Sequence, residues 1–407
     1  MNQEDGVFAG LKVLDISTFI AGPAATTILA DLGADVIKVE PPGIGDPYRY
    51  IHLLPPMPAC EENYCWTLDN RSKRSLALDL KNPEARSVLD RLIAEADVLV
   101  TNFPPKVRKG LRLLYEDVAP VNPRLVFAEI TGYGLAGEEM DKPGFDTTAF
   151  WARSGMMDAI RGADAPPALS LAGMGDHPTA TALYAAIVTA LLRRERTGKG
   201  GRVSTSLLAS GAWANGCLTQ AALLGAQTFE RIDRRRPPNA LVNSYRAADD
   251  LWLLLCCVQE DKDWPGVARA IGRPDLIDDP RFAEKPNRRA NAATLAGILD
   301  EIMATKPLAH WRKALDDERV TFSLIQRLAD IPDDPQLKAA EVLIPLADGR
   351  ETPTYTVDSP FKIGGMAKRP PGKAPALGEH SVEVLREAGL DEAAIDRLKA
   401  AGAVGGG

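Results

Sequence analysis

The chain is poor in the residues that build metal clusters and disulfide frameworks. Its 407 residues include four histidines and five cysteines. The histidines are scattered, which argues against a multi-histidine metal site. Cys60 and Cys65 lie five positions apart without a second such pair. We therefore expect buried, reduced thiols and no bound metal.

Long hydrophobic runs and an excess of positive charge are also missing. The densest apolar stretch, LWLLLCCV at 251–258, is far shorter than the roughly 18 residues of a membrane span. The formal net charge of −7 disfavours nucleic acid and anionic membranes as partners. The N-terminal sequence MNQEDGVFAG has no secretory hydrophobic region, so we expect a cytoplasmic protein that binds neither nucleic acid nor membrane.

Apolar segments alternate with amphipathic ones over the first 131 residues. Strands are predicted at 11–17, 35–40, 74–80, 97–102 and 124–131. Helices are predicted between them at 23–34, 82–96 and 113–122. This alternation predicts a doubly wound α/β fold with a parallel sheet, whose ligands bind beyond the carboxyl ends of the strands.

A change in composition after residue 227 predicts a second domain. Residues 228–243 are polar and contain proline, which is typical of an exposed linker. A β-hairpin is predicted at 245–257, then helices to about residue 317 and a strand at 320–325. The predicted parts are a large domain over 1–227, a small domain over 228–330 and a return segment over 331–407, which ends in a helix pair at 379–402.

The segment GYGLAG at 132–137 matches the glycine spacing of dinucleotide-binding loops. A helix should begin inside such a motif, but the polar stretch EEMDKPGFD with Pro143 follows instead. The acid expected about 20 residues further on, after a second strand, is also missing. A backbone-lined loop at the edge of the sheet is favoured over a nicotinamide site.

A second glycine-rich bend, LAGMGDHP at 171–178, precedes a long apolar helix. Arginines occupy the last turn of this helix, and Gly198 follows as a stop signal. Asp176 lies where the helix begins, and aspartate is common there as an N-cap. Judged from this pattern, Asp176 is a capping residue.

Seven blocks of the sequence stand in an order that carries a family resemblance. The blocks are LKVLDIS, AGPAATTILADLGADVIKVEPPGIGDPYR, NRSKRSLALDLK, NF, ITGYG, GMGDHPTATALYAAIVTALLRRERTGKG and PALGEHSVEVLREAGL. In this order they resemble the class III CoA-transferases, the family of formyl-CoA and carnitine CoA-transferases, from about residue 9 to 403. The resemblance implies a Rossmann-like large domain built from both chain ends, a small α+β domain, and a homodimer of interlocked subunits.

The resemblance also assigns a chemical role to Asp176. In that family the acid after the glycine bend is the nucleophile, and Asp176 occupies its place. It implies transfer of CoA from an acyl-CoA to a carboxylic acid through an aspartyl-acyl anhydride and an aspartyl-CoA thioester, without a tightly bound cofactor. A carboxylate with an ordinary pKa near 3.9 is ionised at pH 7 and needs no base. Gly173 and Gly175 would supply access and backbone N–H donors for the oxyanion.

The same resemblance implies a set of residues that bind CoA. They are Ile20, Ala21, Leu78, Lys81, Asn102, Phe103, Arg108, Thr131, Gly132, Tyr133 and Gly134. The sequence departs from the family at 102–112, where NFPPKVRKGLR replaces the usual NFRPGV. A new basic cluster, Lys106, Arg108, Lys109 and Arg112, is our candidate for contact with a CoA phosphate.

Two features bear on the acyl group. Ile20 stands where formyl-CoA transferase has glutamine, which disfavours oxalate and formate and favours a more apolar acyl group. The segment DTTAFWARSG at 146–155 is reminiscent of members that handle 2-hydroxy or aromatic acids. We therefore expect an apolar acyl group.

Two alternative functions stay open at the level of sequence. The α-methylacyl-CoA racemases share the aspartate block but use a histidine where this chain has Phe145, which cannot shuttle a proton. His177 is the nearest imidazole along the sequence and is a candidate second base. A non-catalytic CoA-binding protein, acting as a sensor or scaffold, is the other alternative.

Overall fold

The computed structural model describes residues 6–227, 231, 233–352 and 354–406. Residues 1–5 of the predicted non-secretory N-terminus, and 228–230 and 232 of the predicted linker, lie outside the described residues. The strands are β1 (Lys12–Ile16), β2 (Asp35–Glu40), β3 (Arg74–Leu78), β4 (Val98–Thr101), β5 (Val126–Thr131), β6 (Gly201–Ser206), β7 (Val242–Arg246), β8 (Trp252–Cys256), β9 (Phe322–Ile325), β10 (Leu343–Pro345), β11 (Tyr355–Val357) and β12 (Val404–Gly405).

The described residues also form helices. The α-helices are α1 (Ala21–Asp31), α2 (Tyr64–Asn70), α3 (Pro83–Glu95), α4 (Pro105–Gly110), α5 (Tyr115–Val118), α6 (Met156–Ala159), α7 (Asp176–Thr197), α8 (Leu207–Ala214), α9 (Gly216–Leu223), α10 (Glu260–Ala270), α11 (Lys285–Ala290), α12 (Ala292–Met303), α13 (Leu308–Asp317), α14 (Pro335–Ala339), α15 (Ser381–Glu387) and α16 (Glu392–Ala400). Shorter 3₁₀ helices cover Pro47–Leu53, Pro274–Leu276 and Leu328–Asp333, and Asp146–Ala152 forms a π-helix.

A seven-stranded sheet with the order β12-β3-β2-β1-β4-β5-β6 organises the larger part of the chain. Its strands pair in parallel except β12, which runs antiparallel to β3 and pairs Val404 with Leu78. The predicted α/β class with a parallel sheet is confirmed. The last strand of the described chain therefore completes the sheet that the first strand began.

Apolar side chains cover both faces of this sheet, as the alternating pattern requires. Leu89 of α3 and Leu385 of α15 pack on one face, whereas Leu29 of α1 and Leu183 of α7 pack on the other. Strand β5 is buried along its whole length. Parallel strands with helices on both faces are expected to read as continuous apolar runs, and β5 departs from this only at Glu129 and Thr131, of which Glu129 is paired with Arg108.

The structure corrects several local predictions. Helix α5 covers only Tyr115–Val118 instead of 113–122, because Pro120 cannot donate the backbone hydrogen bond that a continuing helix needs. Strand β6 was not predicted, since its alternating serines and threonine carry little apolar signal. All five cysteines are free, but the expectation of burial is wrong for the exposed Cys60, Cys217 and Cys256.

The described chain divides into two compact units. One contains Met1–Asp158, Leu169–Gly225 and Gln336–Gly407, and it holds the seven-stranded sheet. The other contains Ala159–Ala168 and Ala226–Pro335. In it, the antiparallel sheet β7-β8-β9 packs on an apolar core with Trp264 and Phe282, and the predicted hairpin is confirmed as β7 and β8.

The order of the strands reverses between β1 and β4. The chain leaves β1 toward β2 on one side of the sheet, and it leaves β4 toward β5 on the other. In open α/β sheets, ligands bind in the crevice that such a reversal opens beyond the strand carboxyl ends. Among the described residues, no helix has the length and apolar character to cross a membrane.

Candidate active site

A cavity of about 190 Å³ opens at this reversal point, within the larger unit. The segments after β1, β4 and β5 form its walls, and Asp176 contributes from the start of α7. Its lining is mostly apolar: Phe19, Ile20, Ile130, Phe145 and Leu207. Ligand pockets for whole drug-sized molecules measure about 300–1,000 Å³, so this cavity suits one end of a larger ligand.

Asp176 is the first residue of α7, and its carboxylate faces this cavity. Gly175, not Asp176, is the N-cap residue of the helix. Within the described residues the Asp176 carboxylate has no hydrogen bond or ion pair. The N-cap role that the sequence pattern suggested is therefore wrong, and the carboxylate is available to a ligand.

The anionic partner of the α7 N-terminus is Asp146, from the beginning of the π-helix. Its Oδ1 accepts a hydrogen bond from the backbone N–H of Gly175 at 3.0 Å. The residue is 7% exposed, and its Oδ2 has no hydrogen-bond partner among the described atoms. Asp146 therefore stabilises the helix start, a position that favours negative charge.

Glycine is required at two places in the bend before Asp176. Gly173 has a φ of +82°, and a Cβ there would lie 2.7 Å from the ring of His177. A Cβ on Gly175 would lie 2.2 Å from Cγ of Phe150. The backbone therefore passes too close to its neighbours for any side chain. The Gly175 N–H is occupied by Asp146 here, so the predicted oxyanion contact is not available from this group.

Burial raises the pKa of Asp176 to about 7, and the charges of Asp146 and Asp69 add to this effect. The charge of His177 acts in the opposite direction. Burial also raises the pKa of Asp146, although backbone N–H groups of the bend oppose it. Asp176 therefore departs from the ordinary carboxyl pKa near 3.9 that was expected from the sequence, and its ionised fraction at pH 7 is smaller than that value implies.

His177 lies beside Asp176 and makes hydrogen bonds at both ring nitrogens. Nδ1 is 3.1 Å from the carbonyl oxygen of Gly173, and Nε2 is 3.0 Å from Oδ1 of Asp69. Burial by itself would lower the pKa of His177, but the hydrogen bond and charge of Asp69 outweigh it and raise that pKa. His177 is therefore bound to the protein at both nitrogens.

A buried set of charged groups supports the loop that follows β1. Lys38 donates to the carbonyl oxygen of Ser17 and lies 2.9 Å from Asp46. Oδ1 of Asp46 accepts from the backbone N–H of Phe19 at 3.1 Å. Phe19 has a φ of +61°, an uncommon conformation for a bulky residue. The charged groups therefore hold a strained segment against the cavity, as is frequent at functional sites.

The predicted CoA-binding residues separate into two groups. Those that line the cavity are Ile20, Ala21, Asn102, Thr131 and Gly132. Those that lie outside its lining are Leu78, Lys81, Phe103, Arg108, Tyr133 and Gly134.

Within the cavity, the amide of Asn102 holds the loop after β1. It accepts from the backbone N–H of Thr18 at 2.8 Å and donates to the carbonyl of Thr18 at 2.7 Å. Its side chain therefore joins the segments after β1 and β4.

Outside the cavity, the remaining candidates differ in exposure. Leu78 is buried at the end of β3, while Lys81 is exposed. Phe103 and Tyr133 are partly buried and pack on apolar clusters. Gly134 donates to Oγ1 of Thr131 at 3.0 Å. The GYGLAG segment forms a bent loop and no helix, as the sequence indicated.

Arg108 does not project into solvent with the other members of its basic cluster. It is 1% exposed, forms an ion pair with the buried Glu129 and donates through Nε to the carbonyl of Phe103 at 2.9 Å. Lys106, Lys109 and Arg112 are exposed. A phosphate contact by Arg108 would require this buried pair to break, so the structure does not favour the predicted phosphate role for Arg108.

Comparison with known proteins identifies the family. A family model described as "CoA-transferase family III" matches residues 8–381. The chain belongs to this family, and it is a CoA-transferase.

Characterised relatives cover almost the whole chain. It is 34% identical over 404 residues to a cinnamoyl-CoA:phenyllactate CoA-transferase of Clostridium sporogenes, a match that covers 98% of this chain and 97% of the relative. It is 33% identical over 394 residues to an (R)-2-hydroxy-4-methylpentanoate CoA-transferase of Clostridioides difficile, with 96% and 97% coverage.

A solved structure of similar fold comes from Brucella suis. This CAIB/BAIF family protein has a TM-score of 0.84 and 28% identity, and the match covers 94% of this chain and 100% of that one. The match covers both compact units of this CoA-transferase, so the fold similarity is not confined to the parallel sheet.

Sequence reasoning missed two residues that shape the site. Asp146 was noted only as part of a segment, and Asp69 was not noted at all. Asp69 lies 108 positions from His177, and Asp146 lies 29 positions from Gly175. No local pattern signals such distant partners.

Proposed function

We propose that this CoA-transferase uses Asp176 as a covalent nucleophile. A carboxylate oxygen of Asp176 attacks the thioester carbonyl, the C–S bond breaks, and the CoA thiolate leaves a mixed anhydride. The thiolate then attacks the Asp176 carbonyl of that anhydride, which releases the donor acid and forms an aspartyl-CoA thioester. The acceptor carboxylate reverses these two steps and leaves as its CoA thioester.

The observation that carries this proposal is the unpartnered carboxylate of Asp176 in a cavity at the strand reversal. Each step exchanges one acyl bond for another, so no proton, metal or nucleotide is consumed. Only the ionised form of Asp176 can attack, and its pKa of about 7 makes the rate rise with pH through neutrality. A mostly apolar lining supports the exclusion of water, which would hydrolyse the anhydride.

The start of α1 supplies the donors that we assign to the oxyanion. Ala21 lines the cavity together with Asp176, and it is the first residue of α1. The backbone N–H groups of Ala21 and Gly22 have no acceptor among the described residues, as is usual in a first helical turn. A helix N-terminus favours developing negative charge, which is the requirement of the tetrahedral intermediate.

We propose that the exchanged acids carry an apolar side chain, and that 2-hydroxy acids with aromatic or branched side chains are among them. Ile20 and the edge-to-face pair of Phe19 and Phe145, with ring centroids 5.9 Å apart, support an apolar acyl group. The printed substrates of the two clostridial relatives, phenyllactate and 2-hydroxy-4-methylpentanoate, support the 2-hydroxy class.

We also propose that the protein is a homodimer. Trp213, Leu223 and Leu224, in and just after α8 and α9, are 75–88% exposed. Apolar surface of this extent at one part of a chain is typical of an interface. Light scattering after size exclusion should give twice the 43.8 kDa of one chain, and a mass of one chain would contradict the dimer.

Mass spectrometry of trapped intermediates tests the covalent mechanism. The protein is mixed with cinnamoyl-CoA, a branched acyl-CoA or acetyl-CoA without acceptor acid, then treated with hydroxylamine or borohydride. A modified Asp176, absent in Asp176→Ala, is the expected result. Asp164→Ala is the matched control, because Asp164 is exposed and shares the tryptic peptide 162–193 with Asp176. CoA binding without any adduct would contradict the proposal.

A further inference from the structure

His177 is bound by hydrogen-bond acceptors on both sides of its ring. The carbonyl of Gly173 can only accept, and it lies 3.1 Å from Nδ1. Oδ1 of Asp69 lies 3.0 Å from Nε2. A neutral imidazole has one donor and one acceptor nitrogen, so it satisfies only one of two such partners. The geometry therefore selects the doubly protonated imidazolium.

The carboxylate of Asp69 also accepts a hydrogen bond from a second side chain, that of Tyr48. Oδ2 of Asp69 accepts from the hydroxyl of Tyr48 at 2.6 Å, and the Asp69 side chain is 3% exposed. Lys73, which is buried, donates to the Asp69 backbone carbonyl at 2.8 Å. These bonds fix the position of Asp69 in the protein interior and direct its Oδ1 to His177.

The Gly173 carbonyl connects His177 to the glycine bend that precedes Asp176. It accepts both the backbone N–H of His177 and the ring N–H at Nδ1, each at 3.1 Å. On the other side of the bend, Gly175 donates to Asp146. The bend is therefore held at Gly173 by a cation and at Gly175 by an anion.

We propose that His177 is a positioning residue for the transferase reaction. As an imidazolium, it links the Gly173 carbonyl to the Asp69–Tyr48 pair, holds the bend that presents Asp176 to the cavity, and places a positive charge beside the nucleophile. This inference rests on the proposed nucleophilic role of Asp176. His177 transfers no proton in this scheme, which differs from its interpretation as a second base.

The carboxylates around His177 explain how its positive charge acts on Asp176. Asp69, Asp146 and Asp176 bring three carboxylates to one end of α7. Behind Asp69, the positive charge of Lys73 is paired with Asp15 at 2.9 Å. Without the imidazolium, the carboxylate of Asp176 would face two like charges. His177 therefore favours the ionised, reactive form of Asp176.

Nuclear magnetic resonance of labelled histidine tests the protonation state directly. The chain has four histidines, so the spectrum of the full-length protein is simple, and His177→Gln identifies the signal. We expect both ring nitrogens of His177 to be protonated at pH 7.5, and Asp69→Asn to return its pKa toward about 6.5. A neutral ring at pH 7.5, or protonation that Asp69→Asn leaves unchanged, would overturn the proposal.

The pH dependence of adduct formation tests the effect on Asp176. In His177→Gln the midpoint should move upward by about one pH unit, with a rate about fivefold lower at pH 7 that recovers by pH 9. Tyr48→Phe should move the midpoint upward as well, but by a smaller amount, because Tyr48 acts on His177 only through Asp69. Tyr245→Phe is the matched control, because this buried hydroxyl also donates at 2.6 Å, to the carbonyl of Ala240. An unchanged midpoint in His177→Gln would contradict the inference.

The two proposals fail in distinguishable ways. An adduct that persists in Asp176→Ala would contradict the nucleophilic role of Asp176, whatever the protonation state of His177. If the adduct requires Asp176 but its pH profile is the same in wild type and His177→Gln, only the positioning role of His177 is contradicted. The histidine spectrum reports on the Asp69–His177 contact in either case.

Discussion

The carboxylate of Asp146 accepts a hydrogen bond from the backbone N–H of Gly175 at 3.0 Å, across 29 positions of sequence. Through this contact a residue of the π-helix stabilises the start of α7. Asp176, the first residue of that helix, is thereby relieved of the capping role that aspartate commonly has. Its carboxylate can face the cavity while the helix end is still satisfied.

Two substitutions at Asp146 should separate its charge from its hydrogen bond. Asp146→Asn keeps an acceptor oxygen for Gly175 but removes a negative charge near Asp176. The pKa of Asp176 should fall, and the midpoint of the pH profile of adduct formation should move down by about one pH unit. Asp146→Ala also removes the acceptor, so we expect a loss of about tenfold or more at every pH. Rapid-quench mass spectrometry of the Asp176 adduct over a range of pH measures both, and identical profiles for the two variants would contradict this division.

Replacement of the nucleophile should stabilise the protein above neutral pH. The pKa of Asp176 is about 7 in the folded protein and near 3.8 in the unfolded chain. Between these values the folded protein holds a proton that the unfolded chain has lost, so the free energy of unfolding falls as the pH rises. The Asp176→Asn variant has no titrating group at this position, so its free energy of unfolding does not fall with pH for this reason. It should be more stable than wild type at pH 8 by about 2–4 kcal/mol, and by much less at pH 4.5.

Urea unfolding at the two pH values measures this difference. Asp396→Asn is the control, because Asp396 is exposed on α16 and its removal should have a small effect that does not depend on pH. An Asp176→Asn variant with the same relative stability at pH 4.5 and pH 8 would contradict the raised pKa. Loss of activity with a gain in stability is expected where a buried charge is kept for function.

The elements of the sheet could be predicted because their signal is local. The strand predicted at 35–40 is β2, with the same bounds, and the helix predicted at 82–96 is α3, which begins at Pro83 after the cap Asn82. Apolar runs and capping residues act over a few positions, so the sequence displays them directly. Strand β6 has neither signal, and it is a strand because β5 pairs with it.

The position of the site could be predicted, but its electrostatics could not. Asp176 was found because it follows a glycine bend in a recognisable block. Its raised pKa depends on burial and on Asp69 and Asp146, which come from other segments of the chain. Arg108 is a second example of this limit on sequence-based prediction. A run of basic residues is expected to be exposed, and only the folded structure shows that Glu129 lies beside Arg108 and pairs with it. Such contacts are set by tertiary packing, which a local pattern does not contain.

Arg108 and Lys109 should therefore differ in what they contribute. Arg108→Gln removes one of the two cations that pair with the buried Glu129, and Arg202 remains as the other, so we expect a loss of about 1–3 kcal/mol of unfolding free energy. Lys109→Gln removes an exposed charge and should change stability by less than about 0.5 kcal/mol. If the exposed lysine contacts a CoA phosphate, its removal raises KM for acyl-CoA at unchanged kcat.

Urea unfolding and steady-state kinetics on the same two variants decide between these roles. Salt should weaken the effect of Lys109→Gln on KM, because exposed charge contacts are screened. An Arg108→Gln variant of normal stability with a raised KM would contradict the structural role assigned to Arg108. It would return Arg108 to the phosphate site that the sequence suggested.

Phe145 should control the preference for aromatic acyl groups. Its ring is 55% exposed at the cavity and meets Phe19 edge-on at 5.9 Å. An aromatic contact of this kind contributes about 0.5–1.5 kcal/mol, so Phe145→Ala should lower kcat/KM for cinnamoyl-CoA by about two- to tenfold. Acetyl-CoA has no ring to contact Phe145, and its kcat/KM should change less than twofold. Tyr355→Ala, at an exposed aromatic residue outside the cavity lining, is the control. Equal losses for both donors would show that Phe145 supports the loop rather than the acyl group, because a misplaced Asp176 would slow every substrate alike.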